Sequence, residues 1–147
     1  MESLFLKASK NTPMVVMDVQ NQCFAIMGNS LPENAAEFYE PLFTWLERHG
    51  ASLPKGAEFR FRLSYFSTSS MKALFKMLAK LKELNVMHGL DVHVKWHVED
   101  EDEFMVEAGS SLFELIDLPF SYVHESEHEG LADTLATMQR YAAQLAA

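Results

Sequence analysis

Among its 147 residues the chain has one cysteine, Cys23. A lone thiol excludes an intrachain disulfide and fits a reducing compartment, and its plain role is that of a small buried hydrophobe in a strand. Long apolar runs are also missing. None approaches the ~20 residues that span a bilayer, and the opening Met1-Glu-Ser-Leu-Phe-Leu-Lys7 lacks the basic region and apolar core of a signal peptide. The expected setting is cytoplasmic. No internal repeat or low-complexity linker divides the sequence, and the length fits one ordinary domain. The Gly-x-Ser-x-Gly elbow, the phosphate-cradling glycine loop with lysine and the His-Glu-x-x-His pair are all absent, so nothing calls for a cofactor or a metal.

Positive charge is scarce and unevenly placed. The net charge is −9, from 12 basic and 21 acidic residues. Residues 99–129 hold 11 acids and no Lys or Arg, whereas residues 55–82 hold seven bases and one acid. An acidic chain of this kind speaks against a nucleic-acid binder and against docking on an anionic membrane.

What is present reads as an α/β fold. Met14–Met17 and Cys23–Met27 form a hairpin pattern, and Gly28-Asn29-Ser30 breaks it. Residues 33–49 carry a helical stripe of Phe38, Leu42, Trp45, Leu46 and His49. Pro32 suits a first turn, Asn34 with Glu37 offers a capping-box start, and Pro41 is expected to kink or divide the helix. Residues 58–66 alternate, with Phe59, Phe61, Leu63 and Tyr65 facing one side. An amphipathic helix follows to about Asn85, with Lys72, Lys76 and Lys80 on one face. Residues 91–98 alternate again. The acids Glu99–Glu103 open a third helix, residues 119–124 read as a last strand, and residues 130–147 as a final helix. On that helix Leu131, Leu135, Met138, Ala142 and Leu145 make a short a/d seam. The order ββαβαβαβ, with about five strands in a mixed sheet and an added C-terminal helix, predicts helices packed on a partly parallel sheet. Residues 1–129 form the core unit and 130–147 an extension.

The chemistry points to one junction. Ser67-Thr68-Ser69-Ser70 lies between the clearest strand and the clearest helix, where ligands and switches of such folds gather. One hydroxyl suffices for an N-cap, so four exceed that need. A phosphate adds about −1.5 to −2 charge and three strong acceptors, which a helix N-terminus accommodates. Other groupings are weaker. His93 and His97 on a strand would stand ~13 Å apart, too far to share a metal. His124 and His128 sit in an acidic loop, and Glu99–Glu103 lacks the spacing of a calcium loop.

Three stretches together resemble the SiaC family of bacterial regulatory phosphoproteins. They are Gly28-Asn-Ser-Leu-Pro-Glu-Asn34, Tyr65-Phe-Ser-Thr-Ser-Ser-Met-Lys72, and Val94-Lys-Trp-His-Val-Glu-Asp-Glu-Asp102 with Glu107-Ala-Gly109. Leu118-Pro-Phe120 fits as well, and the likeness runs over about residues 10–124. It implies a non-enzymatic switch with a STAS-like fold, similar to the anti-anti-sigma domains. It also implies a cognate protein kinase, a PP2C-type phosphatase and binding to a diguanylate cyclase or other signalling enzyme, within cyclic-di-GMP signalling and biofilm formation. By position the phosphorylated residue would be Thr68. Ser67 stands where the family usually has Asn, which leaves Ser67, Ser69 and Ser70 as alternative acceptors. Lys72, Lys76, Tyr65, Pro32, Glu33 and Asn34 are the candidate partner-binding residues, because they flank Thr68 or fall in the matching motifs. The rival readings are a small enzyme with a Ser/Thr nucleophile, which would need a base beside Thr68, and an oligomeric scaffold driven by the C-terminal helix.

Overall fold

The structure is a computed structural model that describes residues 2–124 and 131–146. Its elements are β1 (Leu4–Leu6), β2 (Met14–Asp18), β3 (Cys23–Ser30), α1 (Ala35–His49), β4 (Glu58–Phe66), α2 (Thr68–His88), β5 (His93–Val98), α3 (Glu103–Leu115), β6 (Phe120–His124) and α4 (Leu131–Ala146). The strands form one six-stranded sheet in sequence order. The pairs β1–β2 and β2–β3 are antiparallel, and β3 to β6 are parallel. Three same-handed crossovers in sequential order place α1, α2 and α3 on one face of the sheet. There they cover Phe24, Ile26, Phe59, Phe61, Val94 and Trp96 in a single core.

The added helix covers part of the other face. Met138 of α4 is buried among Val16, Cys23, Ala25 and Met27. The Tyr141 hydroxyl donates to Asp18 Oδ2 at 2.8 Å, and the Tyr141 ring stacks on Phe5 at 5.0 Å. Within the expected seam, Met138 is therefore spent on the chain's own sheet, while Leu135 stays exposed. The side chains of Leu131, Ala142 and Leu145, with His128 and the boundary at residues 129–130, lie outside the described residues. Among the described residues no helix is long and apolar enough to cross a membrane.

Three expectations need correction. The sheet has six strands rather than five, because Leu4–Leu6 pairs with Val15–Met17; three residues are too few to show a period. Pro41 neither ends nor divides α1, which runs unbroken through it. Tyr65 does not join the apolar face of β4. The β3–β4 register advances from Gly28↔Leu63 to Asn29↔Tyr65, so Ser64 is an extra residue. This bulge inverts the alternation, burying Phe66 and leaving Tyr65 half exposed.

Candidate functional site

The β4–α2 junction is held against the end of β3. Gly28 has φ +124, a region that residues with a Cβ rarely enter, and an added Cβ would lie 3.4 Å from Pro13 Cα. The strand thus continues through Gly28-Asn29-Ser30 instead of turning, and Ser30 comes to lie opposite Phe66. The Ser67 N–H donates to the Ser30 carbonyl at 3.0 Å. Ser67 has extended backbone angles, and its Oγ accepts the Ser70 N–H at 3.2 Å, which makes it the N-cap of α2. Such a cap contributes ~1 kcal/mol.

The four hydroxyls of the run are not alike. Ser70 is fully buried. Its Oγ donates to the Ser30 carbonyl at 2.9 Å and accepts from Ser30 Oγ at 2.8 Å and from Ser67 Oγ at 3.1 Å. Although it is an alternative acceptor by sequence, its hydroxyl is engaged in holding the junction. Ser67 is half-buried, and Ser69 is exposed with its Oγ 3.1 Å from Ser67 Oγ. Thr68, the first residue of α2, is exposed. Among the described residues, no side chain hydrogen-bonds its hydroxyl. Behind the run, Ser30 Oγ lies 2.6 Å from the hydroxyl of fully buried Tyr39. Burial pushes the Tyr39 phenol up to about 12, although its hydrogen bond with Ser30 acts the other way. It therefore stays a protonated donor at any physiological pH.

The basic stretch around Thr68 disperses in three dimensions. Arg60 is buried, with Nη1 3.1 Å from His97 Nε2 and Nη2 3.1 Å from Glu58. Lys80 spans to Glu47 at 2.8 Å and Glu83 at 3.5 Å, and Lys82 reaches the Asp117 carboxylate at 3.6 Å. Lys72 and Lys76 remain near the acceptor run. They line a groove of about 710 Å³ between α1 and α2, together with Ser69, Ala73 and Phe43. Glu33, Asn34, Glu37 and Glu40 form its opposite wall. Asn34 also caps α1, accepting the Glu37 N–H at 3.1 Å.

Four of the candidate partner-binding residues, Lys72, Lys76, Glu33 and Asn34, thus meet in one groove. Pro32 is half-buried outside the groove lining. Tyr65 lies on the α3 side and stacks on Phe104 at 5.9 Å, both rings half exposed. Asp102 caps α3 by accepting the Met105 N–H at 3.2 Å, so the acidic run Glu99–Glu103 ends in a helix start. Sequence reasoning missed Ser30, Tyr39 and Phe104. Ser30 looked like part of a break in the hairpin pattern, Tyr39 lies one place off the stripe drawn through Phe38, and Phe104 is the first apolar residue after the acidic run.

A family model for the SiaC family regulatory phosphoprotein matches residues 6–125. An uncharacterized protein of Pseudomonas aeruginosa (strain UCBPP-PA14) is 31% identical over 121 residues, covering 82% of this chain and 95% of that protein. The crystal structure of apo-SiaC from Pseudomonas aeruginosa superposes with a TM-score of 0.73 at 30% identity, covering 83% of this chain and 98% of that one. A chain from the crystal structure of the diguanylate cyclase SiaD in complex with its activator SiaC, also from Pseudomonas aeruginosa, gives a TM-score of 0.76 at 30% identity. It covers 83% of this chain and 99% of that one. The matched residues contain the whole sheet from β2 to β6, the groove and the hydroxyl run, and the chain belongs to the SiaC family of regulatory phosphoproteins.

Proposed function

We propose that this chain is a cytoplasmic, non-enzymatic switch whose reversible phosphorylation at Thr68 controls binding to a signalling enzyme of the diguanylate cyclase class. The observation that carries the reading is Thr68 itself: an exposed hydroxyl with no described side-chain partner, at the first position of a helix, flanked by a groove and an exposed aromatic pair. The SiaC of Pseudomonas aeruginosa, named as the activator of a diguanylate cyclase, supports the choice of partner class.

The chemistry of the switch is simple. A cognate kinase would transfer the γ-phosphoryl group of a nucleoside triphosphate. The Thr68 Oγ1–P bond forms, the bond from phosphorus to the diphosphate leaving group breaks, and the hydroxyl proton passes to the kinase's base. A PP2C-type phosphatase would reverse the state by hydrolysis, returning the hydroxyl and inorganic phosphate. The helix end tolerates the dianion, since no acid stands in the first turn of α2 and Lys72 lies one turn on. The groove beside it changes character. Three glutamates against two lysines give about −1, and the dianion brings that to about −3. A partner complementary to the unmodified surface then meets repulsion and a bulky hydrated group. Among the described residues no histidine or carboxylate bonds to the Thr68 hydroxyl, so the nucleophile reading finds no base there.

The test is intact-mass and pull-down measurement on wild type, Thr68→Ala and Thr68→Asp from native cells. A fraction of wild type should carry one phosphate that Thr68→Ala lacks, and the unmodified fraction, like Thr68→Ala, should capture a cyclase that Thr68→Asp does not. If wild type never carries phosphate and all three capture the same partners equally, the proposal is wrong. Charge reversal at Lys72 and Lys76 should weaken capture more than reversal at Glu101, and equal effects would move the interface away from the groove.

A further inference from the structure

Four consecutive hydroxyls stand at the junction, one of them buried, and the fold commits three of their protons. Each hydroxyl has one hydrogen to donate. Ser70 donates to the Ser30 carbonyl at 2.9 Å, and Ser30 donates to Ser70 Oγ at 2.8 Å. With the Ser30 proton used, the 2.6 Å contact requires the Tyr39 hydroxyl to donate to Ser30 Oγ. Ser67 donates to Ser70 Oγ at 3.1 Å. The 3.1 Å contact between Ser67 and Ser69 is then a bond donated by Ser69. The donations converge on Ser70, from Tyr39 through Ser30 on the buried side and from Ser69 through Ser67 on the exposed side. Thr68 stands outside this relay.

We infer that the Tyr39–Ser30–Ser70–Ser67 relay selects the phosphoacceptor, holding back the hydroxyls of Ser67, Ser69 and Ser70 and leaving that of Thr68 to the kinase. This rests on the phosphorylation reading above. In the transfer, the acceptor proton must leave for the kinase's base as the Oγ–P bond forms and the bond to the diphosphate breaks. A hydroxyl already donating inside the protein must first give up that bond. A typical net hydrogen-bond contribution then disfavours Ser69 about fivefold against an unbonded hydroxyl. Ser70 is excluded by burial as well. Ser30, Ser70 and Tyr39 touch no phosphate in this account. They are positioning residues, and acceptor choice is a readout that a purely structural role would leave unmoved.

The experiment is phosphopeptide mapping of the full chain purified from its native cells, as wild type, Ser67→Gly and Ser70→Ala, with melting temperatures measured alongside. Ser67→Gly removes the acceptor that holds the Ser69 proton while keeping a residue that N-caps tolerate. The Ser69 share of total phosphate should rise about fivefold in Ser67→Gly, and should also rise in Ser70→Ala. Should Ser70→Ala fail to fold, Ser67→Gly decides alone. An unchanged Ser69 share, with phosphate still on Thr68, overturns the relay and spares the switch. Absence of phosphate from the whole run in every sample overturns the switch and the relay with it.

Discussion

The switch as proposed acts through surface charge and leaves the fold intact, which has a thermal consequence. Consider Thr68→Asp measured against Thr68→Asn, a pair that differs in charge at the first position of α2. The first turn of α2 has no acid, so its unpaired N–H groups and dipole face an uncompensated site. One negative charge there stabilises by about 0.3–1 kcal/mol at low salt. For a chain of this size 1 kcal/mol moves the melting temperature by about 2–4 °C. Glu33, Glu37 and Glu40 across the groove offset part of the gain. The Asp variant should melt about 1–3 °C above the Asn variant in low-salt buffer. The difference should vanish near 1 M salt, where the Debye length is ~3 Å. Differential scanning calorimetry reads both. An Asp variant that melts below the Asn variant at low salt would refute the idea that the fold accommodates the charge. So would a difference that salt leaves unchanged.

Other expectations follow from the packing. A Cβ on Gly109 would lie 2.8 Å from Trp96 Nε1 and 3.1 Å from Tyr122 Cε1, while that indole already donates to the Met105 carbonyl at 2.9 Å. Gly109→Ala should therefore cost about 1–3 kcal/mol in urea unfolding, and an unchanged midpoint would contradict the packing. Burial raises the Asp18 carboxyl, but hydrogen bonds from Asn21, Tyr141 and the Gln20 backbone outweigh it and hold the group below its ordinary 3.8. A depressed folded pKa stabilises above the unfolded value, and that stability is lost as pH falls through the folded one. Wild type should thus lose more stability than Asp18→Asn on acidification below about pH 4, and parallel losses would sink the assignment. Burial, with Asp18 nearby, pushes the Cys23 thiol up to about 11, so iodoacetamide at about pH 8 should label it slowly. Removing α4 uncovers Cys23 and its neighbours Val16, Ala25 and Met27 and should speed labelling and lower the melting temperature. Equal labelling rates would mean that α4 does not cover that face.

The architecture was legible where pattern and length agree. The alternation in β4, the stripes of α1 and α2 and the βα order follow directly from the residues. Where a local rule is overridden, the sequence misleads. Ser64 adds one residue to β4 and moves Tyr65 out of the core, and Gly28 extends a strand that seemed to end. Pro41 sits inside an intact α1 because packing of Tyr39, Leu42, Trp45 and Leu46 outweighs one lost hydrogen bond. The candidate site was half legible. Thr68 and the Lys72–Lys76 wall are local features. The relay through Ser30 joins residues 40 positions apart, and no spacing rule announces such a pair. The basic segment looked like one surface in the linear sequence, but Arg60, Lys80 and Lys82 are drawn off to Glu58, Glu47, Glu83 and Asp117. The charge a partner meets near Thr68 is thereby narrowed to two lysines facing three glutamates.

The central claim is tested most directly by titrating the unmodified chain, and the same chain carrying phosphothreonine at position 68, into a diguanylate cyclase purified from the same cells. Isothermal calorimetry gives the affinity, and product formation gives the activation. The account predicts that the unmodified chain binds and activates the cyclase, and that phosphate at Thr68 weakens binding by tenfold or more, about 1.4 kcal/mol, without lowering the melting temperature. Equal affinity and equal activation by the two forms would contradict it.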